Sequence, residues 1–178
     1  MGSHFPHRYL LLQPLCQSRH PVDPRSALGL GDRVSVPTAL ASCGRRFFFV
    51  HSTPSDPERW DYIVTLEEAD QAFSDFQGTI CFVGHSHVPF LSLRGKDGVC
   101  RFSHGPRLVL HPDFRYLVNV GSVGQPRDGD PRACYLLFDV DQGYLELRRV
   151  EYELERTQAK MVQVGLPSFL AARLAMGR

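Results

Sequence analysis

The chain reads as a mixed α/β protein, with helices and strands in both alternating and segregated order, and three observations predict that class. Two dense apolar runs, "RRFFFV" (45–50) and "TICFV" (79–83), lack polar alternation, as do strands buried on both faces. A stretch with helical spacing, "TLEEADQAFSDF" (65–76), lies between them. Beyond residue 88 the apolar residues come in short β-type runs separated by Gly, Pro, Asp and Lys.

A length of 178 residues lies in the one-domain range. Lys plus Arg number 20 against 19 Asp plus Glu, a formal net charge of +1, so no overall field points to nucleic acid or to an anionic membrane surface. Cys16, Cys43, Cys81, Cys100 and Cys134 are odd in number and never form a Cys-x-x-Cys pair, which argues against a disulfide framework and against a thiolate zinc site. That usage fits a reducing compartment. The apolar run near the start is cut by Gln13 and Pro14, too early for a secretory or membrane segment, so the expected location is cytoplasmic.

Taken in order, residues 1–36 carry Pro6, Pro14, Pro21, Pro24, Gly29 and Gly31 without helical or strand periodicity, and are expected to be an irregular head before a domain at 37–178. The run 45–51 predicts a strand ending at His51, followed by the turn-forming loop "STPSDP". In 65–76, Leu66, Ala69, Phe73 and Phe76 recur at three and four. Thr65 can cap that helix, Glu67 and Glu68 suit its first turn, and Gly78 stands past its end. The run 79–83 repeats the earlier pattern, a strand followed by Gly84 and His85. "PFLSLRG", "GVCRFS", "RLVLHPD", "RYLVNVGSVG", "CYLLFDVD" and "GYLELRRVEYEL" then read as an antiparallel series. The tail, "RTQAKMVQVGLPSFLAARLAMGR", predicts one or two short helices broken at Gly165 to Pro167.

The chemistry concentrates where two strands end at a histidine, His51 and His85, 34 residues apart with a helix between. That spacing suits a βαβ unit, which sets two parallel strands side by side with their carboxyl ends at a ligand-binding edge. Neutral imidazole is a good ligand for a borderline divalent ion. His87, one residue further in "GHSH", adds a third candidate ligand, with Gly84 and Pro89 shaping the turn.

"FFFVHSTPSDPERWDYI", "CFVGHSHVPF" and "YLVNVGSVGQPRDGDPRACYLLFDVD", in that order, resemble the carboxyl-terminal half of the calcineurin-like metallophosphoesterases, in particular their small bacterial phosphodiesterase and diadenosine-polyphosphate-hydrolase-like branch. The resemblance implies a partial β-sandwich flanked by helices, with the site at the strand ends. It implies that His51 and His85 ligate one ion of a dinuclear centre and His87 the other, so that two divalent ions clamp a phosphate. It places the loop "GSVGQPRDGDP" near that site, where Arg127 is a candidate anion contact.

Departures from the family pattern are equally legible. Asn119 is the chain's one asparagine and belongs to the later motif, so the family's Asn-His pair is not in this sequence; no Asp is followed two positions on by His. Asp32 in "LGLGDRVS" is a candidate bridging carboxylate, but it lies only 19 residues before His51. Ser52 stands where the family has glycine. Three histidines without a bridging carboxylate suit one ion (Mn, Zn, Fe or Mg) better than two, because two dications need an anion between them.

Three functions follow. The first is a metal-dependent hydrolase of phosphoric esters, acting on a phosphodiester, a phosphomonoester or a nucleotide, and impaired because ligands from the family's amino-terminal half are absent, as in a truncated member. The second is an inactive half-domain kept as an interaction module, and the third a mononuclear metal-binding protein. Missing central strands would leave "RRFFFV" and "TICFV" with an open edge, inviting a homo-oligomer or a covering partner.

Overall fold

The computed structural model describes residues 9–12, 38–42 and 45–178, and Asp32 lies outside the described residues. Among the described residues, ten strands and three α-helices follow in the order β1 (Tyr9–Leu12), β2 (Thr38–Ser42), β3 (Arg45–Phe49), α1 (Leu66–Ala72), β4 (Ile80–Val83), β5 (Phe90–Arg94), β6 (Cys100–Phe102), β7 (Arg107–Val109), β8 (Arg115–Asn119), β9 (Ala133–Asp139), β10 (Tyr144–Val150), α2 (Leu154–Gln163) and α3 (Ser168–Leu174). A six-stranded sheet has the order β2-β3-β4-β8-β5-β6, and a four-stranded sheet the order β1-β9-β10-β7.

Alternation along the central strands explains the continuous apolar runs. Ile80 and Phe82 of β4, with Tyr116 and Val118 of β8, face the four-stranded sheet and pack with Leu136, Phe138 and Leu145. The edge of one ring meets the face of the other where Phe47 touches Phe138, centroids 5.3 Å apart. Cys81, Val83 and Leu117 point the other way, into a second core built with Ala69, Ala72, Phe73 and Phe76 from and just beyond α1. A strand covered on both faces has no water-facing position for a polar residue.

Thr65 caps α1 as its sequence position predicts: its hydroxyl accepts from the Glu68 N–H (3.2 Å) while the Glu68 carboxylate accepts from the backbone of Thr65 (2.9 Å) and Val64 (2.8 Å). The helix ends at Ala72, one turn short of the expected 76. Arg115, at the start of β8, takes up the freed carbonyls. Its guanidinium donates to Phe73 O (2.8 Å), Phe76 O (2.5 Å) and Gly78 O (3.1 Å) and lies 4.4 Å from the centre of the Phe76 ring. At Gly78 (φ +137°) a Cβ would stand 2.8 Å from the Arg46 carbonyl, so the chain needs glycine to enter β4.

Three expectations need correction. Within the head expected to be irregular, Tyr9–Leu12 forms β1 and pairs antiparallel with β9, Tyr9 opposite Asp139. The edge expected beside "RRFFFV" is filled by β2, which pairs antiparallel with β3. The later strands are not a uniform antiparallel series, because β8 runs parallel to β4 and antiparallel to β5. Short runs of similar composition carry no signal for strand direction; direction is set by which chain end must return to the core. The tail divides into α2 and α3 at the predicted break. Cys81, Cys100 and Cys134 are buried free thiols. Among the described residues no helix is long and apolar enough to cross a membrane.

Removing the cap tests how far α1 depends on it. Thr65→Ala should cost about 1 kcal/mol in urea unfolding. Hydrogen bonds, chiefly from Val64 N–H, hold the Glu68 carboxyl below its ordinary 4.5. Its contribution is therefore present above that pH and fades as pH falls through the lowered folded value. Glu68→Gln should flatten the acid limb of a stability–pH profile measured below pH 4.5.

Candidate metal and phosphate site

β3 and β4 are parallel, with Phe47 opposite Ile80 and Phe49 opposite Phe82, and the ladder continues past both strands. Val50 N–H donates to Phe82 O (3.1 Å) and Gly84 N–H to His51 O (3.0 Å), which puts the two histidine corners side by side. His51 Nε2 and His85 Nδ1 lie 3.1 Å apart. The βαβ reading of their spacing therefore locates both rings.

His87 is held by a contact of its own. Its Nδ1 lies 2.7 Å from the Gln125 carbonyl, which can only accept, so Nδ1 carries the hydrogen and Nε2 is the ring's basic nitrogen. The two loops are pinned together where Arg127 N–H donates to His87 O (3.2 Å). Arg127 Nη2 donates to Gln125 Oε1 (3.0 Å) and Nη1 approaches the Tyr62 hydroxyl at 3.4 Å, while Nε is buried with no hydrogen-bond partner among the described residues. Both Nη contacts are to neutral groups, leaving the cation beside the histidines uncompensated by them.

Burial depresses all three imidazoles. His51 is pushed down to about 4, by desolvation first and then by the nearby His85 and His87 rings. His85 is lowered by burial, with a smaller contribution from the Arg127 charge. His87 is lowered by burial against the opposing pull of the Gln125 carbonyl, with Arg127 adding to the depression. Neutral rings keep the lone pairs that a metal requires.

The donor chemistry fits a divalent ion in part. Two nitrogens that each lie about 2.1 Å from one ion are separated by no more than about 4.2 Å, and the 3.1 Å between His51 and His85 falls inside that span. Among the described residues, however, no group of three or more His, Cys, Asp and Glu converges on one point. The pair can supply two ligands, and His87 does not complete a three-histidine set.

The loop carrying His85 and His87 is clamped by Asn119, fully buried at the end of β8. Its Nδ2 donates to Gly84 O (2.8 Å) and Ser86 Oγ (2.9 Å), and its Oδ1 accepts from Gly121 N–H (2.9 Å). Gly121 (φ +76°) turns the chain where a Cβ would stand 2.7 Å from Cys134 Sγ. Ser122 then accepts from Gln125 N–H (2.9 Å), presenting the segment that carries Arg127. Ser52, where the sequence departs from the family's glycine, is accommodated: its hydroxyl donates to Pro57 O (2.8 Å), and it is not among the residues with positive φ.

Sequence reasoning left Trp60 and Tyr62 without a role, although both lie in a stretch that carries the family likeness. Tyr62 stacks on His85 (centroids 4.7 Å, planes 26° apart), and Trp60 lies 5.3 Å from both His51 and His85. Their signal was an aromatic pair in the polar loop after His51. At the opposite end of the sheet, Arg46, Phe76, Gly78 and Arg115 line a shallow cleft. Arg115 spends its donors there on the carbonyls after α1, so that cleft holds the fold together and offers no free cation from β8.

The sequence profile of the calcineurin-like phosphoesterase superfamily domain matches residues 23–143. Among curated relatives, the uncharacterized protein MJ0912 of Methanocaldococcus jannaschii is 39% identical over 135 residues, covering 76% of this chain and 53% of that protein. The crystal structure of a metallophosphoesterase from Sphaerobacter thermophilus is similar with a TM-score of 0.67 and 37% identity, over 80% of this chain and 58% of that one. The hypothetical protein PH1004 from Pyrococcus horikoshii shares the fold with a TM-score of 0.59 at 15% identity, over 80% of this chain and 51% of that one. The chain thus spans between half and three fifths of the length of these relatives.

The Asn119 clamp yields a direct prediction. Asn119→Ala leaves a buried carbonyl, a hydroxyl and an N–H without their partner, and should cost about 1–3 kcal/mol in denaturant unfolding. In the folded variant the His85 ring resonances should shift, while those of His111, outside this network, stay in place.

Proposed function

Because the chain belongs to the calcineurin-like phosphoesterase superfamily, we propose that it is a metal-dependent protein of the phosphoesterase type, whose His51–His85 pair binds one divalent ion and whose ligands are phosphoric esters. The observation that carries this reading is the 3.1 Å separation of two half-buried ring nitrogens at the ends of adjacent parallel strands. A divalent ion bound there would supply Lewis-acid polarisation of a phosphoryl oxygen. The chain's own residues supply the rest of a phosphate's surroundings: Arg127 brings positive charge and an unused buried N–H, and His87 keeps its Nδ1–H on Gln125 and its basic Nε2 available. Manganese, zinc, iron and magnesium all remain candidates for the ion. The free, buried thiols of Cys81, Cys100 and Cys134 suit a reducing, cytoplasmic location.

A second reading is favoured by one observation. The described residues offer no three-donor group, and the sequence holds neither an Asp-x-His nor an Asn-His pair. A two-ion mechanism therefore needs donors beyond those described, and without them the chain is a one-ion binding module that holds phosphorylated ligands without turning them over.

Metal analysis and turnover together separate the readings. Purified protein equilibrated with manganese or zinc and then desalted should retain one ion per chain, and His51→Ala or His85→Ala should release it while leaving the far-ultraviolet circular dichroism unchanged. Hydrolysis of bis-p-nitrophenyl phosphate that disappears in His85→Ala supports the enzyme. Ion retention with zero turnover supports the binding module, and hydrolysis that survives His85→Ala comes from a contaminant.

A further inference from the structure

Among the described residues, only three other than glycine take left-handed backbone: Trp60 (φ 60°), His85 (φ 62°) and His87 (φ 61°). Trp60 and His85 meet ring to ring, centroids 5.3 Å apart, and His87 follows two residues beyond His85. A bulky residue is rarely found in that region, and residues kept there against their preference collect at functional sites. Two of the three are the histidines of the site just described. The third is the chain's one tryptophan.

The path to Trp60 is built rather than loose. The Ser52 hydroxyl donates to Pro57 O (2.8 Å), the Arg59 N–H donates to Asp56 O (3.2 Å), and a single 3₁₀ turn over Pro57–Arg59 delivers the indole to the imidazole pair. Two residues on, Tyr62 lays its ring against His85. A pair of rings placed only to brace His85 would be expected to disappear into the core. Yet Trp60 is 36% exposed and Tyr62 48% exposed, so much of their aromatic surface faces water beside the histidines. On the far side of Tyr62 its hydroxyl meets the Arg127 guanidinium. Flat π surface and anion-attracting charge therefore adjoin each other at a single place.

We propose that Trp60 and Tyr62 form the wall that receives the organic part of the ligand, and that the site takes phosphoric esters carrying a planar ring, a nucleobase or an aryl group, over those of sugars or aliphatic alcohols. The inference rests on the phosphoric-ester reading of the site. Arg127 and the imidazole corner hold the phosphoryl group, while the ring of the ester stacks on the exposed aromatic surface. Stacking of this kind tolerates different bases, because every base has a π-face, and it discriminates sharply against a ligand that has none.

Trp60, as the one tryptophan, reports its own occupancy. With magnesium present, its fluorescence is followed as the full chain is titrated with adenosine monophosphate, phenyl phosphate, ribose 5-phosphate and inorganic phosphate. Stacking predicts that adenosine monophosphate binds about tenfold or more tighter than ribose 5-phosphate. Phenyl phosphate grouping with the nucleotide identifies any aryl ring as sufficient; grouping with the sugar phosphate identifies the nucleobase as the source of the preference. Calorimetry on Trp60→Leu, and on Tyr62→Leu as a second variant, should show about tenfold weaker nucleotide binding with ribose 5-phosphate changed less than about twofold. Equal binding of the two esters by the unmodified chain overturns the proposal, as does an equal loss for both in the folded variants, which would make the rings mere braces for His85. In either case the phosphoric-ester reading stands. If inorganic phosphate and every ester fail to bind, that reading falls and the ring preference falls with it.

Discussion

Val50 donates to the Phe82 carbonyl and Gly84 to that of His51, so the parallel ladder of β3 and β4 outlasts its regular strands and carries the two histidines to the same height. Everything at the site depends on that register. Side chains alternate faces along a strand, so a slip of one residue would turn Phe82 toward α1 and Cys81 toward the other sheet, and would carry His85 away from His51. The two cores forbid the slip, since Phe82 packs with Phe47 and Phe138 on one side while Cys81 fits beneath Ala69 and Phe73 on the other. The packing energy of the sandwich is what fixes a distance between two nitrogens.

The second constraint acts locally. His85 and His87 occupy left-handed backbone that free imidazole-bearing residues seldom choose, and the buried carboxamide of Asn119 holds the intervening turn through Gly84 and Ser86. The same carboxamide accepts from Gly121, so it couples the histidine turn to the loop bearing Gln125 and Arg127. One side chain thus orients the candidate ligands and the candidate anion contact together. Ion pairs beyond that loop, Arg149 with Asp128 and Arg132 with Asp130, hold its outer limb. The site is therefore preorganised by the buried neutral hydrogen bonds of Asn119, with the Arg127 cation beside the histidines and ion pairs at its rim.

Much of this was legible in the residues and some was not. The strands, the helix between them and the Thr65 cap follow from apolar continuity, spacing at three and four, and cap chemistry, all of which are local properties of the chain. The histidine pair was legible because a βαβ unit has only one hand and puts strand ends together. By contrast, β1 is four residues long and finds its order only through β9, a partner that periodicity within the segment cannot show. The direction of β8, the filling of the open edge by β2 and the capping of α1 by Arg115 are likewise tertiary facts. Trp60 and Tyr62 lie in a polar loop where an aromatic has no periodic partner, and only their tertiary ring contacts with His51 and His85 give them a role.

The pairing of β1 with β9 carries a consequence for how the chain is made. Tyr9 finds its place against Asp139, and Leu12 against Leu136, so an early segment of the polypeptide must wait for a late one. At ribosomal rates of about 5–20 residues per second, that wait is on the order of ten seconds, far longer than a hairpin or helix needs to form. The six-stranded sheet, β2 through β6 with β8, can assemble in the interval, with the face of Phe82 and Tyr116 bare until β9 and β10 emerge. Nascent chains at that stage would expose the very surface on which the finished sandwich depends, which makes the interval the point where a chaperone has most to protect.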